Sequence, residues 1–113
     1  ETLGRGRAIL VELLGETHLY IAYADRALGD LSAARQDAAA AEKRYRGALS
    51  IWRAQSAVAD PRELADLLWG LAQARKRLGN GMDDVAPLAR EAISLYEKVQ
   101  RGDRAKEIQT WLL

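Results

Sequence analysis

Ala48-Leu49-Ser50-Ile51-Trp52 is echoed by Ala92-Ile93-Ser94-Leu95-Tyr96, in the order small, aliphatic, serine, aliphatic, large aromatic. A second echo lies upstream of each. Ala22-Tyr23-Ala24-Asp25-Arg26-Ala27-Leu28-Gly29-Asp30 and Ala72-Gln73-Ala74-Arg75-Lys76-Arg77-Leu78-Gly79-Asn80 share the pattern Ala-x-Ala-x-basic-x-Leu-Gly-(Asp/Asn). Self-similarity on this scale is the mark of a stacked repeat, in which each unit buries its apolar face on its neighbour. The echoes therefore decide the fold class, and they predict a surface that holds other molecules.

Outward from the echoes the chain is helix-forming throughout. Ala, Leu, Arg and Glu are abundant and there is no Phe, and such side chains lose little rotamer freedom in a helix. The first helix is expected over 6–28, with Ile9, Leu10, Leu13, Leu14, Ile21 and Leu28 as its apolar stripe and Glu12, Glu16 and Arg26 off it. Gly29 then reads as a left-handed C-cap and Asp30 as the next N-cap, giving a tight turn into a long helix over 31–57 that carries Ala34, Ala38, Ala41, Tyr45, Ala48, Leu49 and Trp52. Asp60-Pro61-Arg62-Glu63 is the sharpest start signal, a cap, a first-turn proline and a glutamate able to bond back. The third helix carries Leu64, Leu67, Leu68, Leu71 and Leu78 and stops at Gly79-Asn80-Gly81. A fourth is capped by Asp83 or Asp84, holds Pro87 in its first turn and buries Val85, Leu88, Ala89, Ala92, Ile93, Tyr96 and Val99; Gly102-Asp103 leads into a short fifth over 104–112. The fold class is all-α, about five helices in antiparallel hairpins, as one domain with units at about 6–58 and 61–100 and a terminal helix at 103–112.

Composition excludes more than it selects. With 17 basic and 16 acidic residues the net charge is +1, which favours neither nucleic acid nor an anionic membrane as partner. No apolar run approaches the roughly 18 residues of a membrane span, and without cysteine there are no disulfides or thiolate metal sites, which fits a cytoplasmic setting. The chain opens on Glu1 and reads as a fragment of something longer or a processed product. Catalytic, cofactor and metal sites are not expected. His18 is the only histidine, Gly4-Arg5-Gly6 lacks the pattern of a phosphate loop, and Asp83-Asp84 reads as helix capping. Arg75-Lys76-Arg77 and Lys43-Arg44-x-Arg46 read as solvated helix-end charge, diluted by Asp37, Glu42 and Asp66.

Ala41-x3-Tyr45-x2-Ala48 resembles the second-helix signature of tetratricopeptide repeats, and Leu28-Gly29-Asp30 and Leu78-Gly79-Asn80 resemble that family's inter-helix turn, with Ala22 and Ala72 at its small first-helix position. Leu68 and Leu71 fit its large first-helix positions. The resemblance covers about residues 15–100. It departs at the first-helix aromatic, which is Asp25 in one unit and Arg75 in the other, and in the second unit, where the signature degrades to Val85-x3-Ala89-x2-Ala92. The echoes are offset by 50 residues upstream (22 to 72) but 44 downstream (48 to 92), so the first unit reads as elongated.

What the resemblance implies is a right-handed superhelical array whose first helices line a concave face. Carried over, that face presents Leu19, Tyr23 and Arg26 from one unit and Trp69, Gln73 and Lys76 from the next. Aromatic and cationic groups together suit an extended peptide with acidic and apolar residues. The Lys/Asn clamp of chaperone-tail-binding members is not matched, since Leu19 and Tyr23 stand in its place. The style is similar to repeat tails of bacterial signalling proteins, which implies a non-catalytic interaction module in a larger bacterial regulatory protein. The alternative is a self-associating spacer, a homo-oligomer built on the long second helix and the unfinished fifth.

Overall fold

The computed structural model describes residues 2–14, 18–55 and 60–113, with side chains from residue 4 to 12 in the first stretch. Six helices run through the described residues: α1 (Thr2–Leu14), α2 (Leu19–Ala34), α3 (Ala38–Ala54), α4 (Pro61–Arg77), α5 (Met82–Lys98) and α6 (Gly102–Leu112). The all-α array predicted from the echoes is what the chain forms. Helix α2 packs along α3 and α4 along α5, α3 joins the pairs by lying on α4, and α1 and α6 flank them on α2 and α5.

The first boundary to differ from the expectation is the turn into the second helix of the first hairpin. The predicted turn at Leu28-Gly29-Asp30 is not a turn: all three lie inside α2, with Leu28 and Gly29 buried. The glycine is there for closeness. A Cβ added at Gly29 would sit 2.6 Å from the ring of Tyr45 on α3, and one added at Gly70 on α4 would sit 2.7 Å from the same ring. The true turn comes at Arg35-Gln36-Asp37, where Asp37 N–H donates to Ser32 O (2.9 Å) and Gln36 N–H to Ala33 O (3.0 Å), with Gln36 at φ +62°. This double bond around a left-handed residue is the Schellman closure. It recurs at the end of α4 on Gly79 (φ +88°) and at the end of α5 on Gln100 (φ +62°). Leu78-Gly79-Asn80 is thus equivalent to Arg35-Gln36-Asp37, and the 50-residue echo is a coincidence of composition. The single 31–57 helix divides at this turn. With it in place the first hairpin is not elongated, because its helices hold 16 and 17 residues against 17 and 17 in the second.

The predicted 6–28 helix is likewise two helices. His18, extended at φ −73° and ψ 143°, caps α2 by accepting from Tyr20 N–H through Nδ1 (3.1 Å). Glu16 and the predicted end at Ala57 lie outside the described residues, as do the side chains of Leu13 and Leu14. Ile9, expected in the buried stripe, is 55% exposed. Asp60 caps α4 as predicted, accepting from Arg62 N–H (2.9 Å). Glu63 does not bond back to the cap; Arg26 holds it instead. Gly81, not Asp83 or Asp84, is the N-cap of α5, so Pro87 falls in the second turn. Both aspartates lie in the first turn, where the helix dipole favours them. Gly102 opens α6 itself.

Two buried clusters form the core. Ala22, Ala41, Tyr45, Ala48, Trp52, Leu67 and Leu71 pack among α2, α3 and α4, and Leu68, Val85, Ala89, Tyr96 and Ile108 among α4, α5 and α6. Leu49, Leu64 and Leu88 border both and make them continuous. Left-handed backbone costs a non-glycine residue about 1–2 kcal/mol, so Gln36→Gly and Gln100→Gly are each expected to raise stability by about 0.5–1 kcal/mol in urea unfolding, after the extra freedom of glycine in the unfolded chain is set against the relief.

Candidate functional site

α2 and α4, which open the two pairs, and α6, which follows the second, bound a groove of about 390 Å3, lined by Arg26 and Asp30 from α2, Asp66, Trp69, Gly70 and Gln73 from α4, and Arg104 and Glu107 from α6. From the second helices Tyr45 and Tyr96 also line it.

Three of the six residues predicted for the binding face line this groove: Arg26, Trp69 and Gln73. The other three do not. Leu19 and Tyr23 turn toward α3, where Tyr23 meets Trp52 edge-on with centroids 5.4 Å apart, and both pack on the core. Lys76 lies beside the groove, its Nζ 4.4 Å above the ring of Trp111. Trp111 in turn meets Trp69 edge-on at 4.9 Å. Trp69 is half-buried and has both roles, packing on the α4–α5–α6 cluster and lining the groove.

The groove's charges are engaged with one another. Arg26 forks onto Glu63 (Nε–Oε2 2.5 Å, Nη2–Oε1 3.0 Å) and donates to Asp30 Oδ2 through Nη1 (2.5 Å). Burial alone would ease the proton off this guanidinium; the hydrogen bond and charge of Glu63, with Asp30, outweigh it and raise its pKa. Tyr45 donates its hydroxyl to Asp30 Oδ1 (2.5 Å), and Tyr96 donates to Asp66 Oδ1. Arg104 pairs with Glu107 at 3.1 Å within α6. Gln73 donates to the Trp69 carbonyl (3.3 Å).

Burial, then the neighbouring carboxylate, pushes the hydroxyls of Tyr45 and Tyr96 well above the usual tyrosine range. A group whose pKa is raised on folding contributes stability that is complete below its unfolded value, near 10 for tyrosine, and lost as pH rises beyond it. The fold is therefore expected to weaken steadily above about pH 10. Ionisation of Tyr45 and Tyr96, followed by tyrosinate absorbance, should coincide with loss of helical circular dichroism; free titration of both in a still-helical protein would contradict it.

Sequence reasoning missed Asp30, Asp66, Arg104 and Glu107 as groove residues. Asp30 was assigned to a turn, and nothing in the linear spacing joins Asp66 to Tyr96 or α6 to α4. It also missed Asp25, which is 3% exposed. Arg7 of α1 forks onto this carboxylate (2.5 and 3.3 Å) and Arg44 of α3 approaches at 3.4 Å, tying α1 to the α2–α3 hairpin. The basic runs disperse in the same way: Arg75 and Arg46 share Glu42, at 3.3 and 3.7 Å, while Arg44 goes to Asp25. No group of three or more His, Asp or Glu able to hold a metal occurs among the described residues, and no helix among them is long and apolar enough to cross a membrane. No family model, curated protein or solved structure matches the chain.

Proposed function

We propose that the chain is a non-catalytic, tetratricopeptide-like interaction module that binds an extended peptide, or an extended segment of a partner protein, in the groove along α2, α4 and α6. The observation that carries this reading is the convergence of Arg26, Trp69 and Gln73, from two hairpins, on one groove of about 390 Å3. Its walls combine an aromatic ring, an amide and several carboxylate acceptors, the mixture that engages both side chains and the amides of an extended backbone. Support for the family comes from Tyr45, which fills the gap between the first helices of neighbouring hairpins, where Gly29 and Gly70 admit it. His18 is engaged in capping α2, which weighs against a chemical role. A place in a larger bacterial signalling or regulatory protein of the cytoplasm rests on the resemblance and on the lack of cysteine.

Peptides selected from a random phage-displayed library against the purified chain provide the test. Gln73→Ala and Trp69→Leu are each expected to weaken the selected peptides about ten-fold. Arg46→Ala and Arg90→Ala, at exposed positions on α3 and α5 outside the groove, should leave binding unchanged. Equal affinities across all four folded variants would remove the groove from the account. The second reading, a self-associating spacer, draws on Ile9 and Tyr20, both 55% exposed; a monomer independent of concentration in light scattering would dismiss it.

A further inference from the structure

Behind the Tyr45 ring a second cavity of about 240 Å3 opens between the end of α2, the start of α3 and the last turns of α4. Tyr45, Gly70 and Gln73 line both it and the groove, so one bound segment can occupy the two together. Its character is the opposite of the groove's. Methyl groups of Ala33, Ala38, Ala41 and Ala74 form the walls, and the one ionised side chain on it is Arg77, which also borders the open depression next to it. Five alanines, Ala33 and Ala34 from α2, Ala38 and Ala41 from α3 and Ala74 from α4, line this space, and their small side chains leave it open.

Arg77 is the available cation of this face. Arg26 is committed to Glu63 and Asp30, whereas Arg77 is exposed and has no hydrogen bond or ion pair among the described residues. A cavity of about 150 Å3 already accepts a benzene ring, so 240 Å3 holds a leucine or phenylalanine side chain. A charged side chain placed there would be desolvated among methyl groups. A carboxylate beside the apolar group would meet Arg77 at the mouth, in the forked geometry that guanidinium favours.

We propose that this cavity is the specificity pocket of the groove: it takes a leucine- to phenylalanine-sized side chain of the bound peptide, with an adjacent acidic residue held by Arg77. The proposal rests on the peptide-binding reading and names the peptide's chemistry. It reconciles the apolar and acidic peptide expected from the resemblance with a groove whose own carboxylates, Asp30, Asp66 and Glu107, outnumber Arg26 and Arg104.

Acetyl-Leu-Glu-amide, acetyl-Ala-Glu-amide and acetyl-Leu-Gln-amide, titrated into the 15N-labelled chain, test it. The first should bind in the millimolar range expected for so small a ligand and shift the amides of Ala34, Ala38, Gly70, Ala74 and Arg77. The other two should bind at least about three-fold more weakly. Arg77→Gln should abolish the preference for Glu over Gln while keeping that for Leu over Ala. Ala38→Leu, which fills the pocket from α3, should abolish binding of the Leu peptides. Equal binding of all three peptides, or shifts mapping elsewhere, would overturn the proposal. Phage-selected peptides that need Gln73 but show no apolar-acidic pair would overturn it too, and leave the groove standing. Ordered dipeptide binding with no effect of Gln73→Ala or Trp69→Leu on selected peptides would uphold the pocket and remove the groove.

Discussion

Gly70→Ala is expected to destabilise the fold by about 2 kcal/mol, although alanine is the better helix former by about 1 kcal/mol. The added methyl would lie 2.7 Å from Cζ of Tyr45 and 3.0 Å from both Cε2 and Oη. The ring cannot retreat, because Gly29 faces its other edge, with a would-be Cβ 2.6 Å from Cε1. Forcing extra volume into such a site costs about 1–3 kcal/mol. A displaced ring would also surrender the hydroxyl's bond to Asp30, a hydrogen bond to a charged group worth about 1.5–3 kcal/mol. The diagnostic feature is a change of sign. In a Tyr45→Ala background the space is free, and Gly70→Ala should stabilise by up to about 1 kcal/mol, with Gly29→Ala behaving alike. Urea unfolding of the four proteins measures the cycle. A loss of the same size in both backgrounds would mean that the glycine serves some purpose other than admitting Tyr45.

Trp52→Ala is expected to cost about 3–5 kcal/mol, the usual range for deleting a large buried aromatic. Trp52 is 1% exposed at the centre of the α2–α3–α4 cluster, and the loss would also release Tyr23 from its edge-on contact. Trp52→Phe should cost far less, about 1 kcal/mol. Among the described residues the indole Nε1 has no acceptor, so phenylalanine removes a buried donor that carries its own penalty of about 1–3 kcal/mol while giving up only part of the ring. Tyr96, the counterpart of Trp52 in the pentapeptide echo, behaves differently. Its hydroxyl is bonded to Asp66, so Tyr96→Phe would strip a partner from a carboxylate that lines the groove.

These residues also show what could be read in the chain and what could not. The downstream echo was sound, since Ala48 to Trp52 and Ala92 to Tyr96 fall on α3 and α5, the two second helices. Asp60-Pro61 worked because a cap is a local hydrogen bond, legible from neighbouring residues. Leu28-Gly29 misled because glycine has two uses, left-handed backbone and close approach, and only the partner ring tells them apart. The real turn was hidden because Gln36 adopts the left-handed conformation without being Gly or Asn. Of the six residues carried over from the resemblance, Arg26, Trp69 and Gln73 line the groove. Leu19 and Tyr23 do not, because the turn comes seven residues later than the resemblance places it, so the α2 residues level with the groove lie about two helical turns further along, at Arg26 and Asp30. The Tyr45–Asp30 and Tyr96–Asp66 pairs depend on which helices become neighbours.

Everything proposed for the groove and the pocket depends on Tyr45 wedging between α2 and α4, since its ring forms the partition between them. Nuclear Overhauser contacts from the Tyr45 ring protons, observed in the intact chain in solution, test this directly. The account predicts cross-peaks from the ring to the Hα protons of both Gly29 and Gly70, with those protons moved by the ring current. Cross-peaks to Gly29 alone, or to neither glycine, would contradict it.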